Sequence, residues 1–317
     1  MLLISRERAL LFLKGMAMGA ADSVPGVSGG TIALITNIYE ELVDAIRAIG
    51  PHVLVTWKRE GFPVAWREIN GNFLLTLLLG IISSLLLFGR VILVLMDSYL
   101  PFLLAFFSGL VMASIFYVTR LVSRWNALNL ILFIAGTGFA ILLASLPLAQ
   151  SSNHLLYYFF SGAIAICAMI LPGISGAFIL VLLGVYGPVL EALTNFEWVV
   201  IGVFAGGCAC GLMLFSRILS WLLHHHHDRT LSTLIGLLVG SLYLLWPWRV
   251  ATELNFNSHA FTQFRHVSPG DYQLLTGSAV SPWLVMFLIV IGAGLVLLLE
   301  TVAVPGKGEL SSKDRDG

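Results

Sequence analysis

Charge is what this 317-residue sequence has little of. Asp, Glu, Lys and Arg make up 11% of it, less than half the share of about 25% usual in soluble domains. The 17 basic and 17 acidic residues cancel, so the basic footprint of a nucleic-acid binder is missing. Cysteine is scarce as well. Cys167, Cys208 and Cys210 lie in apolar stretches as small packing residues, and no Cys/His spacing has the form of a zinc site. The opening MLLISRERALLFLKG lacks a basic head, an uninterrupted apolar core and a small-residue cleavage site, so it does not read as a removable signal peptide.

What is present is apolar. Hydrophobic residues make up 58% of the chain and the mean hydropathy is +0.93, so its solvent is mostly lipid. Apolar runs near 72–96, 100–119, 127–148, 197–222, 230–248 and 282–303 are each about 20 residues long, enough for one helical span. Two further apolar segments, 9–46 and 155–193, are interrupted by SVPGVSGGT and LPGISGAF. Residues 47–71 are polar and hold Arg47, Lys58, Arg59 and Arg67. The stretch 249–281 reads as a polar loop with Pro269-Gly270-Asp271 as turn chemistry, and a short charged tail follows Pro305.

The order repeats. With Pro25 placed on Pro172, an offset of 147 (172 − 25), Gly26, Ser28 and Gly29 fall on Gly173, Ser175 and Gly176. Tyr39 falls on Tyr186, and Phe12 and Gly15 on Phe159 and Gly162. At shifted offsets Phe88-Gly89-Arg90 matches Phe215-Ser216-Arg217, Gly109 matches Gly240, and Gly136-Thr137-Gly138 matches Gly292-Ala293-Gly294. Motifs kept in order over nearly the whole chain indicate a duplication. The halves are 1–150 and 151–317. If each broken segment is a re-entrant helical hairpin, each half crosses the membrane three times and the halves are inverted. With both termini inside, the inner pieces then carry thirteen basic residues and the outer pieces only Arg249 and Arg265. That asymmetry fits the positive-inside rule. The expected fold is therefore an all-α polytopic membrane protein of two inverted-topology repeats, each a re-entrant hairpin plus three transmembrane helices.

Proline donates nothing to a helix ladder and pushes the preceding residue out of helical geometry, while glycine removes side-chain bulk. Such backbone persists at membrane depth only where protein or a water-filled cavity surrounds it. Helices restarting at Thr31 and Ala177 would turn free N–H groups towards the breaks, an arrangement that suits an anion, particularly phosphate. Ser23, Ser28, Thr31 and Ser175 could add hydroxyl donors. Kinks that merely help helices pack are the competing reading. Two breaks from inverted halves converge near the midplane in transporters of this architecture. The candidate binding set is Ser23, Pro25, Gly26, Ser28, Gly29, Gly30, Thr31, Pro172, Gly173, Ser175 and Gly176, joined by Arg90 and Arg217. An arginine within a span lines a cavity, meets a partner or snorkels to the interface, and its planar fork bonds phosphate oxygens in pairs.

Asp22 directly precedes the first break, where the second half has Met169. It is a candidate site for a coupling proton or sodium ion, or else a helix cap or an arginine's partner. Glu40 and Glu41 are further coupling candidates, although with Asp44 and Glu191 they also read as solvated residues near the hairpin exits. His224 to His227 read as a solvated turn. No metal site and no cofactor is expected.

GMAMGAADSVPGVSGGTIALITNIYEELVDAI closely resembles the N-terminal signature of the polyprenyl-phosphate transporter family, and CAMILPGISGAFILVLLGVYGPVLEAL resembles its second-half counterpart. The resemblance covers essentially the whole chain. It implies a translocase of the bacterial inner membrane that returns undecaprenyl phosphate from the outer to the inner leaflet for reuse in peptidoglycan and other envelope polymers. Its partners would be the polyprenyl phosphate lipid and the bilayer; it leaves the oligomeric state open. Undecaprenyl-diphosphate phosphatases with a PGxSRSxxT loop are a competing class. Here the loop is Pro25-Gly26-Val27-Ser28-Gly29-Gly30, without the arginine after the serine, and no glutamate pair lies inside the first hairpin, Glu40 and Glu41 standing only near its exit. A transporter of small anions is a third reading.

Overall fold

A computed structural model of the chain describes residues 2–24, 27–149, 152, 154–251 and 264–303. The first half begins with α1 (Leu2–Asp22), α2 (Gly29–Ile35) and α3 (Tyr39–Ala48). Two short helices follow, α4 (Pro51–Glu60) and α5 (Phe62–Glu68), then α6 (Gly71–Thr119) and α7 (Ala127–Ser145). The second half has α8 (Leu155–Ile170), α9 (Gly176–Leu182), α10 (Tyr186–Thr194), α11 (Trp198–His225) and α12 (His227–Ser241). After it come strands β1 (Arg249–Ala251) and β2 (Phe264–His266), then α13 (Pro269–Thr276) and α14 (Pro282–Ala303).

Among the described residues, α6, α7 and α11 are long and apolar enough to cross a membrane, and α9 and α10, bent by 103° at their junction, make a fourth apolar pair. The outward faces are apolar, with Leu86 79% and Leu156 71% exposed. A surface of that kind is stable in lipid and costly in water, and the chain is a multi-pass membrane protein. α6 leaves helical dihedrals at Tyr99 (φ −135°), two residues before Pro101. At 49 residues it would run about 74 Å if straight, far more than one crossing needs.

Three segments differ from the sequence expectation. The polar stretch 47–71 contains α4 and α5, on which exposed Leu54, Val55 and Phe62 share the surface with Lys58 and Arg59. Trp57, Phe62 and Trp66 stack in series with ring centroids 6.1 and 5.4 Å apart. Aromatic and basic residues together suit the headgroup level. Pro269-Gly270-Asp271 is no turn but the first turn of α13. Ser268 caps it, accepting from Asp271 N (3.1 Å) and donating to Asp271 Oδ2 (2.8 Å), and proline at the first helical position gives up nothing. Ahead of it β1 and β2 pair antiparallel, with Val250 opposite Arg265. The run 230–248 is helical only to Ser241 and continues as hydrogen-bonded turns to Leu245.

Helices cross at glycines, and the crossings come in pairs. A Cβ on Gly15 would lie 2.4 Å from Leu77 O, and one on Gly80 2.3 Å from Phe12 O. In the second half Gly162 meets Phe204 O at 2.6 Å and Gly207 meets Phe159 O at 2.0 Å. These are the same contacts, shifted by 147 in α1/α8 (162 − 15) and by 127 in α6/α11 (207 − 80). The later spans are exchanged between halves. Gly109 of α6 packs on Ile289 O of α14 and Gly292 on Phe106 O, while Gly236 of α12 packs on Phe133 O of α7 and Gly136 on Thr233 O, each leaving no room for a Cβ. By contact, then, Gly109 corresponds to Gly236 and not to Gly240. Both glycines lie on one face of α12 a turn apart, and spacing alone does not choose between them.

Candidate functional site

The two breaks lie against each other. α8 stops because Pro172 has no N–H to continue its ladder. Leu171 N turns back to Ala168 O, Ile174 N reaches Leu171 O, and Gly173 takes φ +85°. A chain ending so leaves carbonyls of its last turn without helical donors. Side chains from the first half meet them: Ser28 Oγ lies 3.3 Å from Met169 O and 3.2 Å from Leu171 O, and Tyr39 OH donates to Ile170 O at 3.3 Å. In the other direction Gly173 N donates to Thr31 Oγ1 at 3.1 Å. The backbones are close enough that a Cβ on Gly30 would sit 2.6 Å from Ile170 O. Ser28, Thr31 and Tyr39 are 1%, 0% and 2% exposed, so this seam is dry and its polar atoms satisfy one another.

At the start of α2, all seven of whose residues are buried, Asp22 Oδ1 accepts from Gly29 N at 2.6 Å and Ser28 Oγ from Gly30 N at 3.1 Å. A carboxylate of the chain thus holds the helix end expected for an external anion, and a Cβ on Gly29 would collide with it at 2.5 Å. Ser23 Oγ bonds back to Gly19 O of its own helix (2.9 Å) and not into the seam. Ser175 caps α9 by accepting from Phe178 N at 3.4 Å, and Gly176 packs on Ala165 O. Pro172 is buried. Pro25 and Gly26 lie outside the described residues.

Both short helices fold back on the long helix before them. Lys14 Nζ donates to Thr36 O at 2.8 Å and Tyr157 OH donates to Leu183 O at 2.7 Å. Positions 36 and 183 are again 147 apart (183 − 36), so each restarted helix ends on the same kind of cap.

The arginines stand elsewhere. Arg90 is exposed on α6 among exposed Leu86, Leu87 and Val91. Arg217 is exposed on α11 and reaches Gly50 ahead of α4, where a Cβ would lie 2.9 Å from its Nη2. No contact among the described residues joins either to the seam. Glu40 and Glu41 also face away from it: Glu40 meets His227 Nε2 at 3.0 Å, and Glu41 accepts from Asn70 Nδ2 at 2.8 Å.

A polar cluster that the sequence left unread ties α3 to α11 and α12. Ser220 Oγ donates to Asp44 Oδ1, Arg47 Nη1 donates to Ser220 Oγ at 3.1 Å, and His224 Nε2 lies 3.5 Å from Asp44 Oδ2. His224 and His227 thus keep the solvated turn between α11 and α12 expected of the histidine run and also lie beside the carboxylates of Asp44 and Glu40. Asp228 Oδ1 and Oδ2 accept from the amides of Ser123 and Arg124 at 3.1 and 3.2 Å. The Ser123 amide above all holds that carboxyl below its usual range. These partners are more than 100 positions apart in the chain, and no local spacing pairs them.

The profile of a family described as undecaprenyl phosphate translocase-like matches residues 18–263. The chain is 43% identical over 297 residues to a protein of Vibrio cholerae serotype O1 named polyprenyl-phosphate transporter, covering 92% of this chain and 96% of that protein. It is 31% identical over 253 residues to a Staphylococcus aureus protein of the same name, covering 74% and 85%. No solved structure matches it. With the profile spanning both breaks and most of the spans, the chain belongs to the undecaprenyl phosphate translocase-like family.

Proposed function

We propose that this protein is a transporter of polyprenyl phosphate, and specifically that it carries undecaprenyl phosphate from the outer to the inner leaflet of the bacterial cytoplasmic membrane. The observation that carries the mechanism is the pairing of Ser28 and Thr31 with the 169–173 break. A membrane protein cannot part such a seam without leaving donors unpaired at low dielectric. Parted, it offers the hydroxyls of Ser28, Thr31 and Tyr39 and the amide of Gly173, which are donors for the oxygens of a phosphate. The isoprenoid tail stays in lipid while the phosphate exchanges for the opposite break. Resealing behind it gives alternating access, with the two repeats inverted, the hairpins re-entrant from opposite faces and both termini cytoplasmic. Arg90 and Arg217, exposed and away from the seam, gather phosphate headgroups near the two faces.

Asp22 is the coupling group in this scheme. Its carboxylate occupies the Gly29 amide, so a phosphate reaching that helix end meets a like charge. Binding a proton or sodium ion at Asp22 removes the repulsion and ties phosphate entry to the ion.

A transporter is favoured over a phosphatase because the Ser28 hydroxyl is bonded to carbonyl oxygens and an amide, with no general base among its partners. The test is surface labelling of outer-leaflet undecaprenyl phosphate in cells with and without the protein. Loss of the protein raises the labelled pool. An unchanged pool, or phosphate release from undecaprenyl diphosphate by the purified protein, contradicts the proposal.

A further inference from the structure

A groove of about 550 Å³ lies between α7, α11 and α12 and shares only Leu171 with the seam's hydrogen bonds. Its walls are apolar, with Ala135 and Phe139 from α7, Phe215 and Leu219 from α11, and Leu234 from α12. At one end is Leu171, whose carbonyl faces Ser28 across the seam. At the other, beside the α11–α12 turn, are His226 and Arg229. The Arg229 side chain is exposed and has no hydrogen-bond or ion-pair partner among the described residues. Its neighbour Asp228 does not neutralise it, because that carboxylate is committed to the Ser123 and Arg124 amides.

The duplication supplies a comparison within the molecule. A second groove, of about 420 Å³, has the same walls 127 positions earlier: Phe88, Ile92 and Phe107 stand where Phe215, Leu219 and Leu234 do. There Tyr99 and Phe102 occupy the places of His226 and Arg229. The shape is repeated and the charge is not.

We propose that the groove of α7, α11 and α12 is a docking site for a lipid with an apolar prenyl tail and a phosphate headgroup, the tail along the apolar walls and the phosphate on Arg229. An unpaired guanidinium at the mouth of an apolar groove is complementary to that combination, and the groove's far end reaches Leu171 at the edge of the seam through which the phosphate is proposed to pass. The inference rests on the transport reading and adds to it where the lipid is held on the Arg229 side.

The test is photolabelling of the full-length protein in phosphatidylcholine liposomes with a diazirine-bearing polyprenyl phosphate and, in parallel, the matching polyprenol. The phosphate probe is expected to label α7 around Ala135 about tenfold more than the alcohol, the factor one charge-assisted hydrogen bond supports. Arg229→Gln should bring it down to the level of the alcohol. Ala135→Trp, which fills the groove, should abolish the label. Gly138→Trp, on the same helix where a Cβ meets nothing within 4 Å, should keep it and serves as the folding control. Equal labelling by both probes, indifference to Arg229→Gln, or displacement by inorganic phosphate alone overturns the site. Lipid movement measured on the same liposomes separates the two ideas. Movement without the label removes the site alone, and the label without movement removes the transport reading alone.

Discussion

Ser28 shows what a single hydroxyl does in a buried seam. It closes the start of α2 by accepting from Gly30 N and reaches the end of α8 at Met169 O and Leu171 O. Ser28→Ala should destabilise the closed seam by about 1–3 kcal/mol, the cost of buried groups left unpaired, read as a lower unfolding midpoint in detergent. Gly30→Ala should be worse, since its Cβ would meet backbone that cannot step aside. Ser28 and Thr31 were legible in the sequence as hydroxyls beside a break. Their partners were not, because two backbone carbonyls and an amide about 140 positions away leave no mark in residue type. Asp22 was legible as either cap or coupling group. The cap is visible in the Gly29 bond, and Asp22→Asn separates the roles: the amide oxygen can still accept from Gly29, so the fold should hold, while lipid movement should cease to respond to an ion gradient. Normal response in that variant removes coupling at Asp22. Asp228 gives a pH prediction. Its carboxyl titrates below the ordinary carboxylate range because the Ser123 amide holds the charged form. The stability it adds is therefore complete above the unfolded value and is lost only as pH falls through the depressed folded value. Hydrogen exchange at Ser123 and Arg124 should stay slow from neutral pH down through the ordinary carboxylate range and quicken below it. In Asp228→Asn it should be faster at neutral pH.

Among the helices, the glycine crossings set which elements can be neighbours. Gly109 and Gly236 let backbones approach so closely that a Cβ at either would fall within 2.2 Å of a carbonyl oxygen, the small-residue packing by which helices associate in lipid. Gly236→Val should cost about 1–3 kcal/mol or more by overpacking, whereas Gly294→Ala, facing open space, should leave the unfolding midpoint unchanged. Proline, glycine and serine in fixed order suggested a repeat, and the crossings of α1 with α6 and of α8 with α11 carry the same offsets. The exchange of α7 and α14 between halves was not readable. All the spans are similarly apolar, so a glycine reports that something comes close without naming what. The helices α4, α5 and α13 were hidden for another reason, their polar composition resembling loop; yet Ser268 with Asp271 carried a capping signal.

At the scale of the whole molecule, the two breaks lie against each other, and the later helices pack as α6 on α14 and α7 on α12. The proposed inverted arrangement predicts opposite faces for the corresponding loops: single cysteines introduced in 52–60 should react with impermeant reagent only from the cytoplasmic side, and those in 270–276 only from the outside. Central to the proposed function is passage of the phosphate where Ser28 and Thr31 meet the 169–173 break. The most direct measurement is movement of a fluorescent short-chain polyprenyl phosphate across proteoliposomes holding the wild-type protein or the Ser28→Ala, Thr31→Val double variant, with both shown to be monodisperse and folded. The expected result is lipid movement by the wild type and its loss in the folded double variant. Movement by that variant at the wild-type rate would contradict a passage at the seam.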